Sequence, residues 1–106
     1  MTTFDKREEG FEKKFALDEE QKFKSESRRS RLLGLWVAEK LGLSGEAAKA
    51  YAVDVVAAGF EEGGNGVVRK ISGDLGAKDI ALPEAELRAK MDELLALAIA
   101  QVKAGT

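Results

Sequence analysis

The chain has 106 residues, a length that fits one small domain burying roughly two-thirds of its unfolded surface. It contains no Cys and no His, which excludes a disulfide framework, a thiolate nucleophile and a sulfur metal site, and removes the usual zinc ligand and the commonest general base. The net charge of −2 divides unevenly, with nine Lys or Arg and eight Asp or Glu in residues 1–31 and an acidic surplus beyond them, so no broad basic field is present to hold nucleic acid.

Residues 3–31 hold four of the five phenylalanines, each isolated among charges as core sequence is not. At about 100° per residue, Phe4, Phe11 and Phe15 fall in one narrow helical stripe, while Phe23 lies round the side. The pairs Glu9 with Lys13, Asp18 with Lys22 and Glu20 with Lys24 favour a helix by roughly 0.2–0.5 kcal/mol each. Gly10 opposes it by about 1 kcal/mol relative to Ala. The expectation is a mobile, partly helical N-terminal arm. Its large apolar anchors separated by charge suit a recognition helix that meets a partner, whereas disordered tails are poor in aromatics.

After Arg28, Arg29 and Arg31 the composition turns apolar, and Leu33, Trp36, Val37 and Leu41 recur at helical spacing to mark a central helix closed by Gly42. Ser44 offers an N-cap for a second helix carrying Tyr51, Ala52, Val55 and Val56 to about Gly59. Glu61, Glu62, Gly63, Gly64, Asn65 and Gly66 read as a loop, with Asn65 capping a short third helix through Val68, Ile71 and Leu75. Pro83 is placed for the first position of a last helix, followed by Glu84 and Glu86, with Leu87, Met91, Leu94, Leu95, Ala98 and Val102 in the clearest stripe of the chain. No segment alternates as a strand does. The predicted fold is all-α, a four-helix bundle over residues 20–106 preceded by an arm at residues 1–19.

One stretch offers a ligand site. Gly63, Gly64, Asn65 and Gly66 would leave backbone N–H groups at a helix N-terminus, and Arg69 and Lys70 follow, so weak binding of ATP, ADP or another anion by a regulatory helical domain is the alternative function. The Walker spacing is absent. Glu61 and Glu62 are adjacent and would point to different helix faces, so they make no hydrolytic pair. Lys22, Lys24, Arg28, Arg29 and Arg31 are interleaved with Asp18, Glu19, Glu20 and Glu26, which argues against nucleic acid and against a membrane-surface helix. The longest apolar run, residues 94–100, is far short of the about 20 residues that span a bilayer, and the early acids do not suit a transit peptide. No membrane insertion and a cytoplasmic location are expected.

Phe4-Asp5, Arg7-Glu8, Phe11-Glu12, Lys14-Phe15-Ala16, Asp18-Glu19-Glu20, Phe23-Lys24, Arg28-Arg29 and Leu32-Leu33-Gly34-Leu35-Trp36 together resemble the signature of the zeta inhibitor subunit of bacterial F-type ATP synthases. The likeness continues more loosely to Lys90-Met91-Asp92-Glu93-Leu94-Leu95. What the resemblance implies is a non-enzymatic four-helix bundle whose arm inserts as a helix between an alpha and a beta subunit, near the gamma rotor, and blocks ATP hydrolysis. It implies no required cofactor, and the free chain is expected to be a monomer. By position, Phe4, Asp5, Arg7, Glu8, Phe11, Lys14 and Phe15 occupy the family's inhibitory segment.

Overall fold

The computed structural model describes residues 17–105. These residues form three helices and no strand: α1, Glu19–Lys40; α2, Gly45–Ala77; and α3, Glu84–Lys103. The arm residues up to position 16 lie outside the described part of the chain.

Helix α1 begins well before the apolar stretch that marks it in the sequence. Asp18 caps it: its carboxylate accepts from the Gln21 backbone N–H at 2.7 Å, and the Gln21 side-chain oxygen accepts from the Asp18 N–H at 3.3 Å. This reciprocal box satisfies two donors that a helix start leaves open. Glu19 and Glu20 in the first turn and Lys40 in the last complement the helix dipole. Phe23, Arg28, Arg29 and Arg31 therefore belong to the folded domain. Asp18→Ala should cost about 1 kcal/mol, seen as a fall of roughly 4–8 °C in the melting temperature.

The second helix corrects the expected count. The four-helix bundle becomes three helices among the described residues, because the second and third predicted segments join without a loop. Gly63 makes the join. Its φ of 68° and ψ of −155° break an otherwise helical run, in a region that residues with a Cβ essentially do not enter. Were α2 straight, Tyr51 and Asp74 would stand about 34 Å apart at about 1.5 Å per residue. Instead the Tyr51 hydroxyl donates to the Asp74 carboxylate at 2.8 Å. The two halves thus fold back side by side, and Asn65 lies inside the helix rather than capping one.

Gly42 takes a φ of 79° after α1, as its position predicts, and Ser44 precedes α2 without a side-chain cap bond. Pro83 stands one place earlier than expected, at the N-cap of α3, with Glu84 and Glu86 in the first turn.

The core is built on α1, which packs against both α2 and α3. Leu33 and Val37 of α1, Val55, Val67 and Ile71 of α2, and Leu87 and Met91 of α3 form one buried cluster. Trp36 packs against its edge, with the Lys40 and Lys90 ammonium groups 4.5 and 5.3 Å from its ring centroid. Nearer the N-terminus of α1 the contact is made by small polar residues, Ser25 and Ser30, both buried. That seam carries no hydrophobic signal, which is why the first half of the helix is hidden in the sequence.

Candidate interaction site at the head of α1

The residues assigned to the inhibitory segment, Phe4, Asp5, Arg7, Glu8, Phe11, Lys14 and Phe15, all lie outside the described residues. What the structure defines is the platform they join. Leu17 and Asp18 lead into a helix fixed by its own capping box.

Beside that point is a surface that sequence reasoning missed. Phe23 of α1 and Phe60 of α2 stack with ring centroids 5.1 Å apart and are 53% and 59% exposed. A cleft of about 210 Å³ lies next to them, walled by Arg29, Ser30, Val56 and Gly59. Burial draws the Arg29 guanidinium below its ordinary pKa, against the charges of Glu26 and Asp92, and its buried Nε has no hydrogen-bond partner among the described residues. Arg28 donates to the Gln101 side chain at 3.3 Å, tying α1 to the end of α3. Phe60 gave little warning in the sequence, being one aromatic at the end of an alanine-rich run. Phe23 was visible as the phenylalanine that did not fit the arm's stripe.

The predicted anion-binding residues are distributed differently. Gly63 is the reversal point, while Gly64, Asn65 and Gly66 are helical. Arg69 pairs with Glu62, and the Lys70 ammonium lies 3.1 Å from Asp74 and 5.2 Å from the Tyr51 ring centroid. The Asn65 side-chain oxygen accepts from Arg88 at 3.2 Å, and Arg88 also bonds Glu84 at 2.9 Å. The two cations expected to face an anion are thus held by carboxylates, and they engage different ones.

The Tyr51 hydroxyl is raised well above its ordinary pKa, first by burial, then by its hydrogen bond to Asp74 and the charges of Asp74 and Asp54. A pKa higher in the folded than the unfolded chain contributes stability that is fully present below the unfolded value, about 10, and is lost as pH rises through it toward the folded value. Urea unfolding should therefore show a loss of stability above about pH 10 that Tyr51→Phe reduces.

Among the described residues no group of three or more Asp or Glu is placed to hold a metal ion, and no helix is long and apolar enough to cross a membrane. The model of the ATPase inhibitor subunit zeta family matches residues 1–101, nearly the whole chain. The chain belongs to that family. A protein whose structure was solved in solution by NMR is 54% identical to this zeta-family chain, with 79% of this chain and 96% of that one covered and a TM-score of 0.67. No match is found among curated proteins. The family places the zeta chain as an inhibitor subunit of an ATPase, an assignment consistent with a regulatory protein rather than an enzyme.

Proposed function

We propose that this protein inhibits ATP hydrolysis by the catalytic head of an F-type ATP synthase, inserting the arm that precedes Leu17 as a helix between an alpha and a beta subunit near the gamma rotor. The observation that carries this is the family match, which begins at residue 1 and so includes Phe4, Phe11 and Phe15 as well as the domain. Wound as a helix, the arm sorts its charges. At about 100° per residue Asp5, Glu8 and Glu12 gather on one flank of the phenylalanine stripe, and Arg7 and Lys14 on the other. A wedge of that kind has an apolar edge to bury and two flanks of opposite sign to fix its orientation between two different walls.

Burying three rings contributes roughly 5–9 kcal/mol gross. Ordering the arm takes back about 2–5 kcal/mol, so each ring matters to a moderate net affinity. Rotation in the direction of synthesis opens the gripped interface and frees the arm, and rotation in the direction of hydrolysis closes on it. The protein then acts on the cytoplasmic face, held to a membrane-bound machine through its head, and the blocking step uses no cofactor.

The test is ATP hydrolysis by the isolated head of the cognate synthase. Phe15→Ala should raise the half-inhibiting concentration about 10–100-fold, with the melting temperature unchanged. A variant that melts lower and inhibits less would place the ring in the domain core, and one that inhibits as the parent does would remove Phe15 from the contact.

A further inference from the structure

The reversal of α2 turns on one residue. Gly63 alone leaves the helical region in a run of 33 residues, with a φ of 68° and a ψ of −155°. Gly66 is the second requirement for closure. A Cβ there would fall 2.5 Å from the Glu62 Cβ and 2.9 Å from the Ala58 carbonyl oxygen, whereas Cβ atoms four residues apart on a straight helix are separated by about 5–6 Å. Both glycines therefore serve the closed form only. A straight helix through this stretch needs neither of them and is disfavoured by each, because glycine is a poor helix former.

Opening at Gly63 divides the core in two. Leu33, Val37 and Val55 stay on the N-terminal side, while Val67, Ile71 and Leu87 leave with the C-terminal side. The hydrogen bonds from Tyr51 to Asp74 and from Arg28 to Gln101 both cross this division. Neither part closes a core by itself, so a single opened chain exposes the apolar faces of both. A second opened copy carries the complement of each face. It restores between chains the contacts that the closed form makes within one, which is why exchange of identical elements is a low-cost route to a dimer. The hinge also has no spare length, since helix continues on both sides of Gly63, and short strained hinges invite exchange.

We propose that Gly63 and Gly66 form a latch that keeps this chain a closed monomer, and that with the latch released α2 straightens and two copies exchange residues 64–103. The core selects the occupant, because the surface uncovered by opening is complementary to a second copy of this chain. In the exchanged dimer Tyr51 of one chain donates to Asp74 of its partner, and α1 of each chain is covered by the partner's α3.

The full chain contains no Cys, so a pair of spin labels can be placed at Glu46→Cys and Lys78→Cys. These positions flank the Tyr51 to Asp74 contact and stand under about 25 Å apart when the chain is closed, against about 48 Å on a straight helix at about 1.5 Å per residue. Gly63→Ala/Gly66→Ala at about 100 μM should sediment with twice the parent's mass. Its doubly labelled form, diluted about tenfold into unlabelled chain of the same variant, should read about 48 Å. Gly73→Ala, at a helical glycine with open space around it, should remain a monomer with the short distance. A monomeric double variant with the short distance overturns the proposal, since the closed form would then accommodate both side chains. A dimer with the short distance also overturns it, because closed chains would be associating through an outer surface. An unfolded double variant does the same by showing that the straightened form does not rebuild the core. A dimer in Gly73→Ala would remove the latch as well, placing control of exchange in helix propensity anywhere along α2.

Discussion

Gly34→Leu should remove about 3 kcal/mol or more of stability, enough to leave a domain of this size substantially unfolded at physiological temperature. Gly34 is buried in α1 where the helix crosses α2, and a Cβ built there would lie 2.6 Å from the Ala52 Cα, 3.2 Å from its Cβ and 3.3 Å from the Val55 Cβ. The nearest of these is backbone, which cannot rotate aside. The helices must separate, and separation opens the cluster of Leu33, Val37 and Val55 on the same interface. Gly34→Ala carries the same clash less about 1 kcal/mol of regained helix propensity, so it should still destabilise. Gly73 supplies the contrast. It is helical with nothing within 4 Å of an added Cβ, so Gly73→Ala should stabilise by roughly 0.5–1 kcal/mol. Urea midpoints at constant m-value measure both. Equal shifts in the two alanine variants would show that propensity alone governs these sites and that Gly34 does not set the distance between α1 and α2.

The parts of this fold that were legible in the sequence are those written in hydrophobic spacing. Leu87, Met91 and Ala98 form the buried stripe of α3, and Leu33 and Val37 anchor α1, as their periodicity predicts. The chain reversal was not legible in kind. Gly63, Gly64, Asn65 and Gly66 have the composition of a loop, yet only Gly63 leaves the helical region. Gly66 serves another purpose, since a Cβ there would fall 2.5 Å from the Glu62 Cβ and 2.9 Å from the Ala58 carbonyl oxygen. Composition counts glycines without separating one that turns the chain from one that lets the turn close. The same blindness hid the start of α1, where Ser25 and Ser30 are buried for their small size rather than for apolarity.

The candidate site divides along the same line. An arm is recognisable from isolated phenylalanines in a charged field, because that pattern belongs to a local helix. The patch of Phe23 and Phe60 depends on two segments meeting across the interface of α1 and α2, and spacing within either segment says nothing of the other. The cation pair Arg69 and Lys70 shows the converse. Adjacent in sequence and expected to face one ligand, they are drawn by Glu62 and Asp74 to separate partners.

A chain beginning at Leu17 should fold as the full chain does and lose inhibition by about 100–1,000-fold in concentration. The first half of that expectation comes from the core: its buried cluster starts at Leu33, and the capping box needs nothing before Asp18. Beginning at Leu17 matters, since removal of Asp18 would combine a helix-cap defect with the loss of the arm and confuse the two. The second half comes from the rings. Three phenylalanines leave with the arm, and their gross contribution less the ordering cost is about 3–4 kcal/mol. At about 1.4 kcal/mol per tenfold, that is a factor of a few hundred. Thermal melting and head-catalysed ATP hydrolysis measure the two halves separately. If the shortened chain melts normally and still inhibits, blocking belongs to the folded domain and the insertion mechanism is wrong. If it binds the head without slowing hydrolysis, gripping and blocking reside in different parts of the chain, and the exposed aromatic pair becomes the first surface to mutate in the shortened protein.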